Sequence, residues 1–395
     1  MNKILNYISD RFVFWNLRKI SSGYLMLIDS KEKNYSFGDN KSSLKAKIKI
    51  NDPSFCYNIL RKGSSGLGES YIKGEFETED LTSLIELSAK NIKTTHRFSG
   101  FFEFSLLKKF LKKNVYKNTK IRSQKNISLH YDLGNDFFST WLDKTLTYSC
   151  GIFNSSQETL EQAQINKYNR LIGMVKPNKG DKILEIGCGW GGFAEHIAKN
   201  YDIKLDCITI SKKQFSFTKE RIRRQGLNHK VNVKMMDYRD LKNKYDIIVS
   251  IEMIEAVGEE YLKKYFNIIK ENLSPGGRGA IQAIIIKDEL YNRYRTREDF
   301  IQKHIFPGGF LPSFKSLNKL SNNSGLKIDR YHLYGSHYSS TLQKWRESFL
   351  NSWDSISKQG FDLSFKKMWD FYFSYCDAGF KSKNIDLIQF SLCNK

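Results

Sequence analysis

A glycine-rich segment carries the clearest chemical signal in this chain of 395 residues. It reads LEIGCGWGG over residues 184–192 and joins a strand-like apolar run to a helix-like segment. Gly187 and Gly189 allow the backbone to turn tightly and to approach a ligand, and ligands of open α/β sheets bind at the carboxyl ends of strands. Dinucleotide-binding folds use similar loops, but Glu185 just before the loop favours S-adenosylmethionine. The segment predicts an S-adenosylmethionine site, with a purely structural turn as the alternative.

A second polar segment, TISKKQ over residues 209–214, follows the next strand-like run. Methyltransferases often place a carboxylate there to bind the ribose, and this segment has none. Thr209, Ser211 and Gln214 would have to supply the hydrogen bonds instead, through their hydroxyl and amide groups.

Several further motifs resemble, in their order along the chain, those of the cyclopropane fatty acid synthase family. They are HYDLGNDFF at 130–138, LTYSCG at 146–151, DYR at 237–239, EMIEAVG at 252–258, FPGGFLPS at 306–313 and the run 337–345. GLGESY at 66–71 is similar to the accessory domain of the same family. The resemblance covers most of the chain and implies an enzyme that transfers a methylene group from S-adenosylmethionine to the cis double bond of unsaturated phospholipid acyl chains.

The resemblance also implies roles for individual residues. The residues predicted to surround the cofactor are Tyr148, Ser149, Glu185, Gly187, Gly189, Gly191, Thr209, Ser211, Gln214, Asp237, Tyr238 and Arg239. In the family a bicarbonate ion serves as the base, and this resemblance implies that Cys150, Glu255, Tyr338 and the backbone near Ile284 hold it. Cys376 matches a cysteine considered as a nucleophile, although the reaction needs none.

One position departs from the better-known bacterial members, which have His-Thr-Ile where this chain has Gln282-Ala283-Ile284. Gln282 can still donate a hydrogen bond from its amide, but it carries no charge. The combination of Gln282 with the segment 253–258 is similar to the plant-like branch of the family. Simpler interpretations remain open for two residues: Cys150 as a small buried side chain, and Glu255 as a cap of the following helix.

The elements that must position these residues alternate from about residue 128 onward. Strand-like runs at 182–187, 205–210, 231–236, 245–251 and 278–286 are separated by helix-like segments. This alternation predicts an α/β fold with a doubly wound parallel sheet, as in a class I, Rossmann-like methyltransferase.

We predict three regions in the chain. Residues 1–95 form a smaller N-terminal α+β domain for lipid recognition, residues 96–127 a basic linker helix, and residues 128–395 the catalytic domain. Aromatic residues concentrate in an insertion around 287–340, which we expect to form the lipid pocket. The linker alternates basic and apolar residues, a pattern typical of helices that lie on membranes. The alternative is that its apolar face packs onto the next domain.

The composition bounds the partners. The formal net charge is +22, and such a field attracts polyanions, either nucleic acid or an anionic lipid surface. The chain lacks the apolar run of about 18 residues that a membrane-spanning helix needs, and its start lacks the apolar core of a signal peptide. We therefore expect a cytoplasmic protein, peripheral on the inner membrane face.

Other classes of protein find less support in the motifs. The six cysteines show no CxxC spacing, so we expect reduced thiols and no metal site. A nucleic-acid methyltransferase or binding protein lacks support, because neither an NPPY-type tetrapeptide nor an RNA-binding module is present; we expect no nucleic-acid partner. A fatty acid C-methyltransferase that makes methyl or methylene branches is the nearer alternative, and a homodimer is possible.

We predict that the protein binds anionic vesicles and that salt weakens this binding. Eight basic residues lie between residues 108 and 125, and each basic residue near a membrane contributes about 1 kcal/mol. Salt screens this attraction beyond ~10 Å at 0.1 M. Vesicle flotation across a salt series measures it, with neutral vesicles as the control; equal binding to both vesicle types contradicts the electrostatic origin.

Overall fold

The computed structural model describes residues 3–92, 118–120, 122–123, 126 and 133–395. Most of the predicted linker helix at 96–127 and the first three residues of the HYDLGNDFF motif lie outside these described residues. None of the described helices is long and apolar enough to cross a membrane.

Helices and strands are each numbered in chain order. The helices are α1 (Lys3–Leu17), α2 (Phe55–Lys62), α3 (Ser64–Lys73), α4 (Leu81–Lys90), α5 (Asn135–Trp141), α6 (Leu160–Val175), α7 (Gly192–Asn200), α8 (Lys212–Arg224), α9 (Leu262–Asn272), α10 (Asp288–Tyr294), α11 (Phe300–His304), α12 (Phe314–Asn323), α13 (Gly335–Asn351), α14 (Trp353–Ser357) and α15 (Leu363–Lys381). The strands are β1 (Tyr24–Ile28), β2 (Asn34–Gly38), β3 (Lys45–Ile50), β4 (Phe76–Glu77), β5 (Lys182–Ile186), β6 (Lys204–Thr209), β7 (Val231–Met235), β8 (Tyr245–Ile251), β9 (Leu273–Ile286), β10 (Leu326–Leu333) and β11 (Ile385–Asn394).

The chain divides into two compact units. The first unit comprises Met1–Asn114, Tyr294–Ile305 and Trp353–Asn384, and the second comprises Val115–Arg293, Phe306–Ser352 and Ile385–Lys395. The predicted catalytic domain at 128–395 is continuous, whereas this division of the chain interrupts it. Two of its segments, 294–305 and 353–384, belong to the first unit, because their aromatic side chains pack there. The predicted insertion at 287–340 is divided in the same way.

The first unit combines a small sheet with helices. Its four strands are ordered β2-β1-β3-β4, with β1 and β3 parallel and the outer pairs antiparallel. Leu25 and Leu27 of β1 are buried at alternate positions, as expected where only one face of a sheet is covered. Tyr71 of α3 donates a hydrogen bond to Asp370 of α15 at 2.6 Å, which joins two helices far apart in sequence.

The second unit is built on a seven-stranded sheet ordered β10-β11-β9-β8-β5-β6-β7. Strands β5 to β9 are mutually parallel, and β11 is antiparallel to both of its neighbours. The central strands are continuous apolar runs because helices cover both faces; Ile183, Leu184 and Ile186 of β5 are all buried. The parallel strands match the predicted runs within a few residues, whereas β10 and β11 were not predicted.

This topology brings several loops together at one edge of the sheet. The carboxyl ends of parallel strands meet at the same edge, so the segments that follow β5, β6, β7 and β8 become neighbours. Two helices near this edge begin at well-formed caps. The Thr159 side chain and Gln162 form a reciprocal capping box at the start of α6, and Ser211 accepts from the Gln214 amide at the start of α8.

We predict that Gly68→Ala destabilises the protein, whereas Gly173→Ala does not. A Cβ at Gly68 would lie 2.3 Å from the Phe300 ring and 2.9 Å from Phe371, and overpacking of this kind costs about 1–3 kcal/mol. A Cβ at Gly173, in helix α6, meets no atom within 4 Å, so alanine there should stabilise by about 0.5–1 kcal/mol. Scanning calorimetry compares the two variants; a Gly68→Ala protein that melts at or above the wild-type temperature contradicts the packing.

Candidate active site

A pocket lies at the carboxyl edge of the sheet in the second unit. Its lining comes from the segment 146–149 and from the loops that follow β5 to β8. Ten of the twelve predicted cofactor residues line it: Tyr148, Ser149, Glu185, Gly187, Gly189, Thr209, Gln214, Asp237, Tyr238 and Arg239. The two exceptions, Gly191 and Ser211, are structural neighbours of this lining.

The glycine-rich loop supplies an open cradle. Gly187, Gly189 and Gly191 all have left-handed backbones, with φ of 86°, 52° and 81°, which glycine adopts without strain. A Cβ at Gly189 would meet no atom of the described residues within 4 Å, whereas one at Gly191 would lie 2.7 Å from the Thr218 side chain. Gly189 therefore faces open space, and Gly191 permits close packing against helix α8.

The polar residues beyond the loop are held by one another. The Thr209 hydroxyl donates to the Gln214 side-chain oxygen at 2.9 Å. Arg239 donates to both oxygens of Asp237, at 2.8 and 2.7 Å, and to the carbonyl of Asn118 at 2.8 Å. Desolvation opposes ionisation of Asp237, but the hydrogen bonds from Arg239 prevail and lower the pKa of that carboxyl group.

A carboxylate cluster adjoins the pocket, centred on Glu252. One oxygen, Oε1, accepts from the Cys150 backbone N–H at 2.9 Å and from Gln282 Nε2 at 2.7 Å. The other, Oε2, accepts from the Tyr338 hydroxyl at 2.7 Å. Glu252 also lines the pocket itself. It follows β8 directly and has a left-handed backbone, with φ of 48°.

Glu255 sits in a separate arrangement. Its Oε1 accepts from the Ile284 backbone N–H at 2.6 Å, and its buried Oε2 has no hydrogen-bond partner among the described residues. Desolvation, and next the charge of Glu252, raise the pKa of Glu255 to about 8. The structure thus brings the residues predicted for the base site close together, but it divides their bonds between two carboxyl groups.

Comparison with known proteins decides the family. Residues 118–390 match the family described as mycolic acid cyclopropane synthetase. The chain is 34% identical over 356 residues to the cyclopropane-fatty-acyl-phospholipid synthase of Escherichia coli strain K12, covering 88% of this chain and 87% of that protein. The chain belongs to this cyclopropane synthase family.

Other relatives agree with this assignment. The tuberculostearic acid methyltransferase UfaA1 of Mycobacterium tuberculosis is 35% identical over 342 residues, covering 85% of this chain and 80% of that protein. The solved cyclopropane synthase MmaA2 of Mycobacterium tuberculosis has a TM-score of 0.64 at 27% identity, covering 68% of this chain and 97% of that one. The mycolic acid cyclopropane synthase CmaA1, complexed with SAH and CTAB, has a TM-score of 0.61 at 27% identity, covering 69% and 98%. The predicted Rossmann-like fold, the family and the class of S-adenosylmethionine-dependent methyltransferase are confirmed.

The pocket of this family member fits S-adenosylmethionine. The space at Gly189 can take the methionyl part of the ligand, and the Glu185 carboxyl group borders the pocket. Its Oε2 is buried without a hydrogen-bond partner among the described residues, so it can accept from the ligand's ammonium group. Desolvation raises the pKa of Glu185 to about 8, and a bound cation would lower it again.

The carboxylate cluster around Glu252 fits a bicarbonate ion less well than the pocket fits S-adenosylmethionine. The resemblance implies that Cys150, Glu255, Tyr338 and the Ile284 backbone would hold that ion. The Cys150 amide and the Tyr338 hydroxyl donate to Glu252, and the Ile284 amide donates to Glu255. A further anion would have to displace one of these carboxylates from its donors.

The thiols of the two predicted cysteines stay protonated. Desolvation, and next the Glu252 charge, raise the pKa of Cys150, whose contribution is its backbone N–H rather than its sulfur. Cys376 lies in α15 of the first unit and is not among the residues that line the pocket. Desolvation, and next the charge of Asp299, raise the pKa of its thiol.

Sequence reasoning missed two members of this site, Glu252 and Lys167. Lys167 of helix α6 is fully buried and donates to Ser149 Oγ at 2.6 Å and to Gln164 Oε1 at 2.5 Å. Desolvation lowers its pKa to about 8. Two sequence patterns could have identified these residues. Lys167 is a basic residue within the buried stripe of an amphipathic helix, and Glu252 is a carboxylate directly after a buried parallel strand.

We predict that Gly189→Val abolishes binding of S-adenosylhomocysteine, because its methyl groups would fill the cradle. Gly276→Val is the matched control. Gly276 also has a left-handed backbone, with φ of 73°, and no atom within 4 Å of an added Cβ, but it does not line the pocket. Calorimetric titration with S-adenosylhomocysteine should show lost affinity in Gly189→Val and unchanged affinity in Gly276→Val. Wild-type affinity in both variants would mean that the cofactor lies elsewhere.

Proposed function

We propose that this chain transfers a methylene group from S-adenosylmethionine to the cis double bond of unsaturated phospholipid acyl chains. The observation that carries the proposal is Glu252, a hydrogen-bonded carboxylate that borders the cofactor pocket. Ring formation requires removal of a proton from the transferred methyl group, and a cofactor pocket with a fixed proton acceptor at its wall meets that need.

The cofactor supplies an electrophilic methyl group when it is bound. The chain must then protect a cation on the acyl chain from water. Aromatic rings next to the pocket support this role: the Tyr148 ring lies 5.1 Å from Trp345 and 5.4 Å from Phe138, and the Tyr338 ring lies 6.2 Å from Trp345. Aromatic faces attract cations through their quadrupoles, so this aromatic group would stabilise the positive charge that develops.

Within this proposal most of the predicted residues have a role. Two groups of residues bind the cofactor or shape its pocket. They are the loop from Gly187 to Gly191 and the polar residues Thr209, Gln214, Asp237, Tyr238 and Arg239. The Glu252 carboxylate is oriented by hydrogen bonds from Cys150, Gln282 and Tyr338. Glu255, which accepts from the Ile284 amide, belongs to the same cluster. Bicarbonate has no role in this scheme, because the donors implied for it are engaged. Cys376 has none, because burial raises the pKa of its thiol and the reaction needs no nucleophile from the chain.

The partners and the location belong to the same proposal. The net charge of +22 supports binding to an anionic phospholipid surface from the cytoplasmic side, where the acyl substrates are embedded. The first unit, which includes the GLGESY segment, would take part in lipid recognition. A homodimer is compatible with this arrangement.

A fatty acid C-methyltransferase is the second candidate, and one observation favours it. The relative UfaA1, which is 35% identical, bears the name of a tuberculostearic acid methyltransferase. Methyl transfer to a double bond produces the same cation in both reactions. The outcomes differ after that step, because loss of a proton gives a ring or an alkene, whereas a saturated methyl branch requires a hydride from an added reductant.

Cofactor with a trideuterated methyl group distinguishes these products. Ring closure removes one methyl deuteron, so we expect a product with two deuteriums and no double bond. An exocyclic methylene group would also carry two deuteriums but would retain a double bond, and a saturated methyl branch would carry three. Mass spectrometry of the extracted lipids, with ozonolysis to detect the double bond, gives the answer; three deuteriums would identify a branching methyltransferase.

A further inference from the structure

We propose that the Glu252 carboxylate is itself the base that removes the methyl proton, in place of a dissociable bicarbonate ion. The inference rests on the proposed function and deepens it. Glu252 engages two of the residues predicted to hold the ion, through the Cys150 amide and the Tyr338 hydroxyl, and it also accepts from the Gln282 amide. The chain thus supplies its own carboxylate where the resemblance implies an anion from solution.

The hydrogen bonds leave Glu252 able to accept one more proton on the correct side. A carboxylate offers about four acceptor positions on its two oxygens. Oε1 accepts two N–H donors, and Oε2 accepts the Tyr338 hydroxyl alone among the described residues. Glu252 lines the cofactor pocket, and in the proposed reaction the remaining position on Oε2 accepts the proton from the ligand.

The side chains around Glu252 hold it in one orientation. Gln282 is fully buried, and its own side-chain oxygen accepts from Gln389 Nε2 at 2.8 Å. These two glutamines face each other across neighbouring strands β9 and β11. The Gln282 amide is therefore fixed with its NH₂ group toward Glu252, and a base that is positioned in advance needs no reorganisation during the reaction.

The surrounding charges favour an ionised Glu252 over an additional anion. Burial opposes ionisation and raises the pKa of Glu252, while the Tyr338 hydrogen bond and the Lys167 charge counteract this effect. Glu255 has one donor and a pKa raised to about 8, so it holds a proton at neutral pH. The three hydrogen bonds and the Lys167 charge instead favour the ionised form of Glu252, against the effect of burial. A bicarbonate ion would add a second negative charge beside the first, which like-charge repulsion disfavours.

Methyl transfer and ring closure conserve atoms and electrons in this scheme. The methyl carbon bonds to one alkene carbon as its bond to sulfur breaks, which leaves S-adenosylhomocysteine and a cation at the other alkene carbon. Glu252 Oε2 accepts one proton from the methyl group, and the electron pair of that C–H bond closes the ring onto the cation. Glu252 then carries the proton, which passes to solvent through the pocket after the products leave.

The first test measures how turnover depends on bicarbonate and on mutation of Glu252. In degassed, bicarbonate-depleted buffer, wild-type turnover should be unchanged, and its rate should fall as the pH drops through the pKa of Glu252. Glu252→Gln should lose about 10²–10⁴-fold of turnover, the usual contribution of a positioned base, while it keeps its affinity for S-adenosylhomocysteine by calorimetry. Glu271→Gln, which alters an exposed carboxylate on α9, is the matched control and should keep full activity.

The second test is chemical rescue of Glu252→Gly. Glycine accommodates the left-handed backbone at this position and leaves space for a small carboxylate among the donors. Formate or bicarbonate at millimolar concentration should restore turnover to Glu252→Gly by more than tenfold and should not change the wild-type rate.

The outcomes separate failure of this inference from failure of the proposed function. Wild-type protein that makes cyclopropane lipid only when bicarbonate is present, together with an active Glu252→Gln variant, overturns the role of Glu252. Wild-type protein that yields no two-deuterium product free of a double bond overturns the function. A Glu252→Gly variant that binds S-adenosylhomocysteine but is not rescued by either anion also contradicts the inference, because the missing group would then not be a proton acceptor.

Discussion

A carboxylate that loses contact with water must regain hydrogen bonds or lose its charge, and Glu252 is the point where this constraint acts on the second unit. Three donors from three parts of the chain converge on it: an amide at the start of a loop, a side chain in β9 and a hydroxyl on α13. Each donor is fixed by the element that carries it. The geometry of the site therefore depends on the register of the sheet and on the placement of one helix.

The same constraint explains the rest of the buried ionisable groups. Glu185, Glu255 and Lys167 are all desolvated, and the pKa values of the two carboxyl groups rise to about 8 while that of the lysine falls to about 8. Burial also raises the pKa of Glu252, and its three hydrogen bonds and the Lys167 charge counteract that rise. Such opposed shifts among neighbouring buried groups are typical of sites that transfer protons.

The cofactor side and the proton-accepting side of the pocket use different physical means. On the cofactor side, left-handed glycines remove side chains and leave an open cradle. On the other side, side chains fill the space and hydrogen bonds orient them. Glu252 belongs to both sides, because it lies in the segment after β8 that borders the cofactor and accepts the bonds of the second group. A reaction that moves a methyl group and then a proton from the same carbon needs this proximity.

The sequence by itself determined the parallel strands from β5 to β9, the glycine cradle and ten of the residues that line the pocket. These features depend on short-range patterns: apolar runs that alternate with helices, glycines at a strand end, and motifs of a few residues. Local chemistry is enough to reveal them, because the backbone of a tight turn and the burial of a strand are decided by neighbouring residues.

Only the tertiary structure decided which carboxylate receives the donors. Cys150, Gln282 and Tyr338 lie 102, 30 and 86 residues from Glu252, and no local pattern states that they meet. EMIEAVG contains two glutamates, and the left-handed backbone at Glu252 together with the register of Gln282 against Gln389 selects the first. The assignment of 294–305 and 353–384 to the first unit has the same origin, because Phe300 and Phe371 find their partner surface at Gly68, more than 200 residues earlier in the chain.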